Sequence, residues 1–530
     1  MKRLNDLDYL KLGKLAAFWY NFKLFFLDTL PAWIKGVVLG FWGFIKGVGI
    51  GIKDLFVDIF TTFTKGNWAV KLSFLVFGLG NIYYGQVLRG VLFLLFELIF
   101  IGYMIVPNGG AYWLSKVNWF QTGNTVGDVQ REEIVIGEID YGGVKFPLTE
   151  WIEGDDSAKV LLYGLLTVIF IVAFIATWRM QVKQCRINMD IVASGKKVKS
   201  GKQDLQSLLD DQFHKTLLAP SLIGILLFTI LPTIFMVLVA FTSYDAAHNG
   251  YSNLFSWVGW DNFNELLGLG NGDMGVAFGE VLSWTLMWAF FATFSNYFLG
   301  MFVAIMINKK GIKFKKFWRT VLVMTIAIPQ FVSLLYVSNI FGSTGYIGKL
   351  LEQIPAIAEH LSANRYMSVW HSPIIARILV IVINIWIGIP YIMLMATGIL
   401  MNIPEDLYES ARIDGASGYQ QFTKITLPYM LFVTGPYLLT SFVGNLNNFN
   451  VIYLLSGGNP INSELGTAGG VRVGYTDLLI TWLYKMTLDS ADREYNSASV
   501  IGILIFVVVA ILSLIVYNVI PSTKNEEDYS

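Results

Sequence analysis

Long apolar stretches dominate this 530-residue sequence. A helix needs about 20 predominantly apolar residues to cross a bilayer, because the hydrocarbon core is about 30 Å thick and a helix rises about 1.5 Å per residue. Backbone polar groups must be paired in lipid, and the short dyad repeat of a membrane barrel is missing. The sequence therefore predicts an all-α polytopic membrane protein with about eight transmembrane helices. Their approximate positions are 88–106, 159–178, 216–242, 281–307, 319–341, 375–400, 429–455 and 499–520.

Composition argues against several other classes of protein. Only 14% of the residues are charged, against roughly 25% in a soluble globular domain. The 38 basic residues equal the 38 acidic ones, so the basic excess of a nucleic-acid-binding protein is missing. The single cysteine, Cys185, cannot form an intramolecular disulfide, and the four histidines lack zinc-ligand spacing. We therefore expect no nucleic-acid partner and no metal site.

Charge in the loops predicts the orientation in the membrane. Residues 308–318 carry five lysines and no acid, and residues 179–215 carry eight basic residues. Because basic loops remain in the cytoplasm, both segments are predicted to be cytoplasmic. Residues 107–158 carry nine acids and three basic residues, and residues 243–280 carry five acids and no lysine or arginine, so both are predicted to be extracellular. An even number of spans then places both termini in the cytoplasm.

Residues 1–87 form an N-terminal cytoplasmic or interfacial segment in this interpretation. The apolar and aromatic stretch 32–63 is interrupted by Lys35, Lys46 and Lys53. Spacings of eleven and seven residues place these lysines within about 20° of one another on a helix. That pattern is typical of an amphipathic helix lying in the membrane interface. A ninth span over the same stretch is the alternative.

Residues 403–428, IPEDLYESARIDGASGYQQFTKITLP, are unlike an ordinary loop. Acidic residues near Glu405 favour the first half of a helix, and Gly415 supplies a break before a second helix. Leu407 and Ala411, followed by Phe422 and Ile425, give an apolar face that no membrane span requires. The segment is therefore predicted to be two short helices with a binding surface.

The order of residues in this segment resembles the EAA motif of ABC-importer permeases. Three residues separate Ala411 from Gly415 and nine separate Gly415 from Ile425, as in that family, while Ser410 replaces its usual central alanine. The resemblance implies a coupling helix that docks on the ATP-binding subunit. The implied coupling residues are Glu405, Glu409, Ser410, Ala411, Asp414, Gly415, Ala416, Phe422, Ile425, Leu427 and Pro428.

The resemblance covers about residues 216–518 and is similar in particular to the MalF-type carbohydrate permeases. The stretches INIWIGIPYIM (383–393) and SFVGNLNNFNVIYLLSGGNP (441–460) carry it. It implies a type I ABC-importer permease core of six helices over 216–520. Two extra N-terminal helices then occupy 88–215, and 521–530 is a cytoplasmic tail. The short loop 243–280 and the additional segment 1–87 depart from the Gram-negative pattern and favour a Gram-positive host.

Polar side chains within two predicted spans have the chemistry that a neutral sugar requires. Amides donate and accept hydrogen bonds to hydroxyl groups, and an aromatic ring packs on a sugar face. Residues three and four apart share a face of a helix. Asn384, Gly388 and Tyr391 therefore lie on one face of the sixth span, and Ser441, Asn445 and Asn448 lie on one face of the seventh. Hydrogen bonding between neighbouring helices is the alternative role of such residues. By resemblance to the MalF type, the substrate-binding residues are Asn384, Gly388, Tyr391, Ser441, Asn445 and Asn448.

The resemblance also implies the function and the partners. The chain is expected to be the permease of an ATP-driven importer for a maltooligosaccharide-like sugar. The implied partners are a second, MalG-type permease, two cytoplasmic ABC ATPase subunits, an extracellular sugar-binding lipoprotein, the oligosaccharide and membrane lipid.

No catalytic activity is expected of this chain. It has no run with the P-loop spacing, so we expect it to bind no cofactor, with ATP and Mg²⁺ on the ATPase subunits. The alternative is an ion-coupled secondary sugar transporter, in which Glu97 would carry the coupling proton. A structural role for Glu97 is the competing interpretation.

Overall fold

The structure of this chain is a computed structural model that describes residues 42–43, 46–47 and 56–519 with short gaps. The interfacial helix expected over 32–63 lies mainly outside the described residues, as does the tail 521–530. The gaps are 143, 199, 202, 204–205, 207–209, 211–212, 252, 269–272, 310, 469 and 490–492.

Helices form most of the described chain. The helices used below are α1 (Val87–Ile105), α2 (Ser157–Ala193), α3 (Phe213–Val239), α4 (Asp273–Asn308), α5 (Lys315–Ala327), α6 (Gln330–Phe341), α7 (Pro373–Leu400), α8 (Glu405–Ile413), α9 (Gly418–Leu446), α10 (Phe449–Leu455), α11 (Leu479–Tyr484) and α12 (Tyr495–Val519). Shorter helices are Trp68–Leu72, Leu79–Tyr83, Gly110–Lys116, Asp261–Leu266, Tyr346–Glu352 and Pro355–Ala363. Single π-helical turns lie at Leu226–Ile230, Phe422–Thr426 and Lys485–Asp489.

The predicted membrane architecture is confirmed. Among the residues that the structure describes, seven helices are long and apolar enough to cross a membrane, and the number is eight if the bent pair α5 and α6 is counted as one span. Their exposed surfaces are apolar: 11% of the best window of α1 is buried within the chain, and the same holds for α3. Lipid or partner subunits can therefore cover these helices.

The fifth predicted span, 319–341, is wrong as a single helix. α5 and α6 meet at 93° because Pro329 has no backbone N–H and forces Ile328 into an extended conformation, with ψ of 127°. The Lys315 ammonium at the start of α5 donates to the Asn308 carbonyl over 3.1 Å. Near the C-terminal end of α6, the Ser338 hydroxyl donates to the Leu455 carbonyl of α10 over 2.6 Å. Each helix of the bent pair is therefore hydrogen-bonded to a neighbouring helix.

The seventh predicted span, 429–455, is also broken. α9 begins earlier, at Gly418, and ends at Leu446, and a separate helix α10 begins at Phe449. At the break, the Asn448 side chain accepts a hydrogen bond from the Val451 N–H and so caps α10. Asn448 therefore does not share a helix face with Ser441 and Asn445, contrary to the sequence analysis.

An antiparallel hairpin in the acidic segment 107–158 was not predicted. Its strands are β1 (Glu132–Tyr141) and β2 (Val144–Ile152). The pairing runs from Glu132 opposite Ile152 to Tyr141 opposite Val144, with a bulge between Val135 and Gly137. A second, very short hairpin pairs Thr467–Ala468 with Val471–Arg472.

The described chain divides into two compact units. The first unit comprises the described residues up to 112 and those between 166 and 224, and includes Glu97. The Glu97 carboxylate is buried and accepts a hydrogen bond from the Phe77 N–H over 2.8 Å. In the same unit, the Gln181 amide donates to the Ser73 carbonyl over 2.6 Å. The first bond gives Glu97 a structural role, because its carboxylate pairs the backbone N–H of Phe77, which lacks a helical partner. Gln181 has the same role for the Ser73 carbonyl.

The second unit comprises the described residues of 113–165 and those from 225 to 519, and is built around α4. α7 and α9 both pack on α4, and apolar side chains from the three helices form one buried cluster. Within it, the hydroxyl groups of Tyr297 on α4 and Thr434 on α9 are hydrogen-bonded over 2.7 Å. The indole of Trp288 on α4 donates to the Asn445 carbonyl over 3.1 Å. α4 therefore fixes the positions of the helices that carry the predicted sugar-binding residues.

The two ends of α4 carry different structures. Its 36 residues span about 54 Å at about 1.5 Å per residue. Asn308 at its C-terminal end lies in the same cavity wall as Glu405 of α8. Near the N-terminal end, Phe278 packs in a cluster with Ala240, which leads into the loop 241–260. That loop contacts the segment just before the hairpin, because Ser256 is bridged to Thr125 and Asn253 accepts a hydrogen bond from Gln130. The hairpin and α8 consequently lie at opposite ends of this unit.

An ion pair closes the base of the hairpin. The Lys116 ammonium contacts both Asp155 carboxylate oxygens, at 2.9 and 2.7 Å. The N–H groups of Asp128 and Val129 donate to the same carboxylate. Burial alone raises the pKa of Asp155, but these hydrogen bonds outweigh burial and hold the pKa below its ordinary value. This carboxylate therefore stabilises the hairpin base in its charged form.

We expect Asp155→Asn to loosen the hairpin base. Asparagine cannot form the ion pair with Lys116, and leaving the ammonium without its charged partner costs about 2 kcal/mol, which corresponds to about 30-fold faster amide hydrogen exchange in residues 117–131. The matched control is Glu138→Gln, which removes an exposed pair with Lys145 and should leave exchange nearly unchanged. Equal effects of the two variants would contradict the structural role of Asp155.

The hairpin base is also expected to depend on pH. Because the folded-state pKa of Asp155 is lowered, its stabilisation is present at neutral pH and is lost as the pH falls through that folded-state pKa. Hydrogen exchange in residues 117–131, corrected for its intrinsic pH dependence, should therefore lose protection on acidification. Asp155→Asn should show a smaller change, and an identical pH response in both proteins would refute the assignment.

Candidate functional site

A polar cavity lies where the two broken spans meet. Its volume is about 400 Å³. The start of α6, directly after the 93° bend, forms one part of its wall, and the break between α9 and α10 forms the other. The lining residues are Gln330, Ser441, Gly444, Asn445, Asn447, Asn448, Phe449 and Asn450.

The chemistry of this lining is uncharged. The lining consists of five amide side chains, one hydroxyl group, one glycine and one phenyl ring. None of these eight residues is ionisable. The Asn445 amide donates to the Thr293 hydroxyl over 3.0 Å, and its oxygen accepts from the Asn448 amide over 3.2 Å. Asn447 and Gln330 are exposed, so their amides are accessible to a ligand. The cavity can therefore bind a neutral ligand rich in hydroxyl groups.

Three of the six predicted sugar-binding residues line this cavity: Ser441, Asn445 and Asn448. Sequence reasoning missed Gln330 because its position depends on the bend at Pro329. It also passed over Asn447 as a site residue because it treated the stretch as one continuous helix. Two adjacent asparagines within an apolar run were the available signal, since asparagine favours caps and turns over helix interiors.

Asn384 and Gly388 of α7 lie elsewhere, in the contact between α7 and α4. Asn384 is buried, and its carbonyl accepts a hydrogen bond from the Asn296 amide over 3.4 Å. A Cβ atom on Gly388 would lie 2.5 Å from the Asn296 amide nitrogen. Gly388 therefore allows close packing of the two helices, which is the alternative role that the sequence analysis left open.

Tyr391, the third predicted residue of α7, is connected to the cavity through a second tyrosine. Its side chain is 54% exposed. Its ring centroid lies 6.0 Å from that of Tyr437, with the planes inclined by 33°. Tyr437 is hydrogen-bonded to Ser441, which lines the cavity. The tyrosine pair thus provides an aromatic surface next to the polar lining.

The segment 403–428 forms two helices with a turn, as predicted. α8 is exposed, with Glu405 and Asp406 in its first turn and Arg412 in its last, an arrangement that the helix dipole favours. Gly415 follows with φ of +75°, a conformation that glycine adopts without strain. The Ala416 N–H donates to the Ala411 carbonyl over 2.8 Å and so closes the helix end.

A capping box starts the second helix of this segment. The Ser417 side chain accepts from the Gln420 N–H, and the Gln420 side chain accepts from the Ser417 N–H. The chain then continues through the π-helical turn Phe422–Thr426 into the rest of α9. Hydroxyl groups of Tyr408 and Thr426 are 2.8 Å apart and connect α8 directly to α9.

The eleven predicted coupling residues divide by exposure. Glu405, Glu409, Ser410, Asp414, Gly415 and Pro428 are exposed, whereas Ala411, Ala416, Phe422, Ile425 and Leu427 are half-buried. The apolar residues that protrude are instead Leu407, Ile413 and Tyr419, at 49%, 87% and 71% exposure. The predicted apolar face is therefore only partly correct.

An open cavity of about 710 Å³ lies between α8, the start of α9 and the ends of α4 and α7. Lys309 and Arg412 are among its lining residues. Across the part of the chain that the structure covers, no group of three or more His, Cys, Asp or Glu residues can hold a metal ion.

Comparisons with known proteins agree with this arrangement. Residues 296–524 match the family described as the inner membrane component of binding-protein-dependent transport systems. The maltodextrin transport system permease protein MalC of Streptococcus pneumoniae is 32% identical over 377 residues, which cover 70% of this chain and 84% of that protein.

Two further relatives are named for galactooligosaccharides and for maltose and maltodextrin. The galactooligosaccharides transport system permease protein GanP of Bacillus subtilis is 32% identical over 72% of this chain and 87% of that protein. The maltose/maltodextrin transport system permease protein MalF of Klebsiella aerogenes is 33% identical over 49% of this chain and 48% of that protein. Together with the eight apolar spans and the exposed EAA-like segment, these matches show that the chain belongs to the family of inner membrane components of binding-protein-dependent transport systems, the permease subunits of ABC importers.

Proposed function

We propose that this permease carries a neutral, maltooligosaccharide-like sugar across the cytoplasmic membrane. The observation that carries the proposal is the uncharged, amide-rich cavity at the two helix breaks. Relatives named for maltodextrin and for galactooligosaccharides support the oligosaccharide class. The ion-coupled alternative finds no support in these comparisons, and Glu97 has a structural partner in Phe77.

Sugar binding uses two kinds of contact in this proposal. Ser441, Asn445 and Asn448, with Gln330 and Asn447, offer donors and acceptors to sugar hydroxyl groups. Tyr391 contributes a ring for the apolar face of a sugar unit.

The two remaining predicted contacts need a conformational change. Asn384 and Gly388 are covered by α4 in the present conformation. They reach the sugar only in a state in which α4 and α7 have separated. Such a second state is what alternating access requires.

The exposed helix α8 is the proposed contact with an ABC ATPase subunit. Four of the eleven coupling residues, Glu405, Glu409, Ser410 and Ala411, lie in α8, and the others follow it in the sequence. Because α8 is exposed, it can enter a cleft on a partner. The complete importer would contain a second, MalG-type permease, two ATPase subunits and an extracellular sugar-binding lipoprotein. ATP and Mg²⁺ would bind to the ATPase subunits, and this chain would hydrolyse no nucleotide.

The proposed orientation follows from charge. Lys309, Lys313, Lys315 and Lys316 lie at the α8 end of the second unit, and basic loops remain in the cytoplasm. The hairpin end is then extracellular, and eight spans place both termini in the cytoplasm. Relatives from Streptococcus pneumoniae and Bacillus subtilis accord with the proposed Gram-positive host.

Gly415→Val should weaken coupling to the ATPase. The φ of +75° strains a β-branched residue, although a Cβ atom there meets no other atom within 4 Å, so the expected effect is on backbone geometry and not on packing. We expect a loss of at least fivefold in ATPase activity stimulated by binding protein and maltotriose, measured on the assembled complex in nanodiscs.

The matched control is Gly415→Asn, because asparagine tolerates the left-handed conformation better than other residues do. It should retain at least half of the stimulated activity. A Val variant as active as the Asn variant would show that the geometry of this turn is unimportant for coupling.

Asn447→Ala and Gln330→Ala should each reduce sugar transport. Both side chains are exposed, so their removal should leave the fold intact. Loss of one hydrogen bond costs about 1 kcal/mol, which predicts about fivefold slower maltotriose uptake into proteoliposomes at saturating binding protein.

ATPase stimulation by binding protein should persist in both variants, because α8 is unchanged. Asn339→Ala is the control, since this exposed asparagine lines a different cavity, and uptake should remain at the wild-type rate. Unchanged uptake in the Asn447 and Gln330 variants would contradict the location of the sugar site.

A further inference from the structure

One face of the β1–β2 hairpin is apolar and uncovered. Residues paired across the two strands share a face, and the pairing places six large apolar side chains on one face, with Glu132 and Glu150 near the hairpin base. Each of the six apolar side chains is at least 37% exposed. These residues, called the hairpin face below, are Ile134, Ile139, Val144, Phe146, Leu148 and Ile152.

The opposite face of the same hairpin is mostly polar. It carries Glu133, Glu138, Asp140, Lys145 and Thr149 together with the apolar Val135, Pro147 and Trp151. The Arg131 guanidinium lies 4.4 Å from the centroid of the Trp151 ring. Lys145 and Glu138 form an ion pair of 2.9 Å on this side. Large apolar side chains are therefore more numerous on the hairpin face, with six, than on the opposite face, with Val135 and Trp151.

The exposed apolar face indicates that another molecule covers the hairpin. A lone two-stranded hairpin is at best marginally stable in water. Contiguous exposed apolar patches of this kind on a protein surface mark interaction sites. The exposure of all six side chains shows that no described residue of this chain covers the face.

The hairpin is held at a fixed place. The Gln130 amide donates to the Asn253 side chain over 2.9 Å, and its oxygen accepts from the Leu254 N–H over 3.2 Å. The Lys116–Asp155 pair closes the other side of the base. The hairpin is therefore anchored at the end of the unit opposite α8, which is the proposed contact with the ATPase.

Charge distinguishes between a lipid surface and a protein as the occupant. Residues 128–153 contain seven acids but only two basic residues, Arg131 and Lys145. An anionic lipid surface repels such a segment, whereas a protein patch with a basic rim complements it. The family description itself states that transport depends on a binding protein, and such a partner approaches from the extracellular side.

We propose that the hairpin face is a docking site for the extracellular sugar-binding protein, an inference that rests on the proposed function. The partner surface would have an apolar centre that covers Phe146 and Leu148, with lysines and arginines around it. The hairpin recruits the binding protein, while the cavity at the helix breaks receives the sugar.

Site-specific crosslinking tests the contact directly. The only cysteine, Cys185, is buried, so a benzophenone maleimide can be attached selectively at Phe146→Cys. Thr149→Cys places the same probe on the opposite face and is the matched control. In the assembled complex in nanodiscs with maltotriose-loaded binding protein, we expect crosslinks to binding protein from position 146 at least fivefold above those from position 149.

Crosslinks only to lipid, no crosslinks, or equal crosslinks from both positions would overturn the proposal. Labelled protein that retains Cys185 alone supplies the background.

A titration separates docking from transport. The double variant Phe146→Asn with Leu148→Asn should raise the concentration of binding protein that gives half-maximal ATPase stimulation by at least tenfold, with an unchanged maximum. Thr149→Asn should change it less than twofold. An unchanged half-stimulating concentration in the double variant would refute the docking site while leaving the importer function intact. If wild-type complex showed no stimulation at all, the proposed function itself would fail.

Discussion

The cost of an unpaired backbone polar group in hydrocarbon governs this structure. Helices satisfy every N–H and C=O group within one segment, and this explains why apolar stretches of about 20 residues become helices. Any break in a span leaves such groups without helical partners. Both broken spans of the second unit, at Ile328–Pro329 and at Asn447–Asn448, therefore need either a side chain or a ligand-accessible cavity at the break.

The chain meets this requirement in two ways. At the α5–α6 bend, proline removes one donor, so one group fewer needs a partner. At the α9–α10 break, the Asn448 side chain accepts from the Val451 N–H. Both breaks border the same polar cavity. The irregular backbone and the predicted sugar-binding amides thus occur together for one physical reason: each is tolerated at membrane depth only where polar contacts are available.

Sequence reasoning succeeded where one periodicity or one spacing decides the structure. Hydropathy located the spans, because length and composition suffice for a membrane helix. Spacing located the turn at Gly415, because a left-handed residue after a helix favours glycine. It failed at Asn447 and Asn448, because an apolar run was given more weight than the capping tendency of asparagine.

Other features depend on contacts distant in the sequence. Gln330 reaches the cavity only through the 93° bend, and the packing role of Gly388 depends on Asn296 of another helix. The β1–β2 hairpin did have a local signal, namely alternating apolar residues on both sides of Tyr141-Gly-Gly-Val144. Sequence reasoning used this acidic segment only to predict its side of the membrane and did not use the alternating pattern.

The path between the coupling segment and the cavity is one continuous element. α9 has 29 residues, about 43 Å at about 1.5 Å per residue, and Phe422 near one end and Ser441 near the other belong to the same helix. The Tyr408–Thr426 hydrogen bond connects α8 to the π-helical turn of α9. Because a packed helix moves as a unit, displacement of α8 by an ATPase subunit must displace Ser441 and Asn445 as well, unless the π-helical turn absorbs it. In the proposed mechanism, the same helix therefore both receives the movement and carries the proposed sugar contacts.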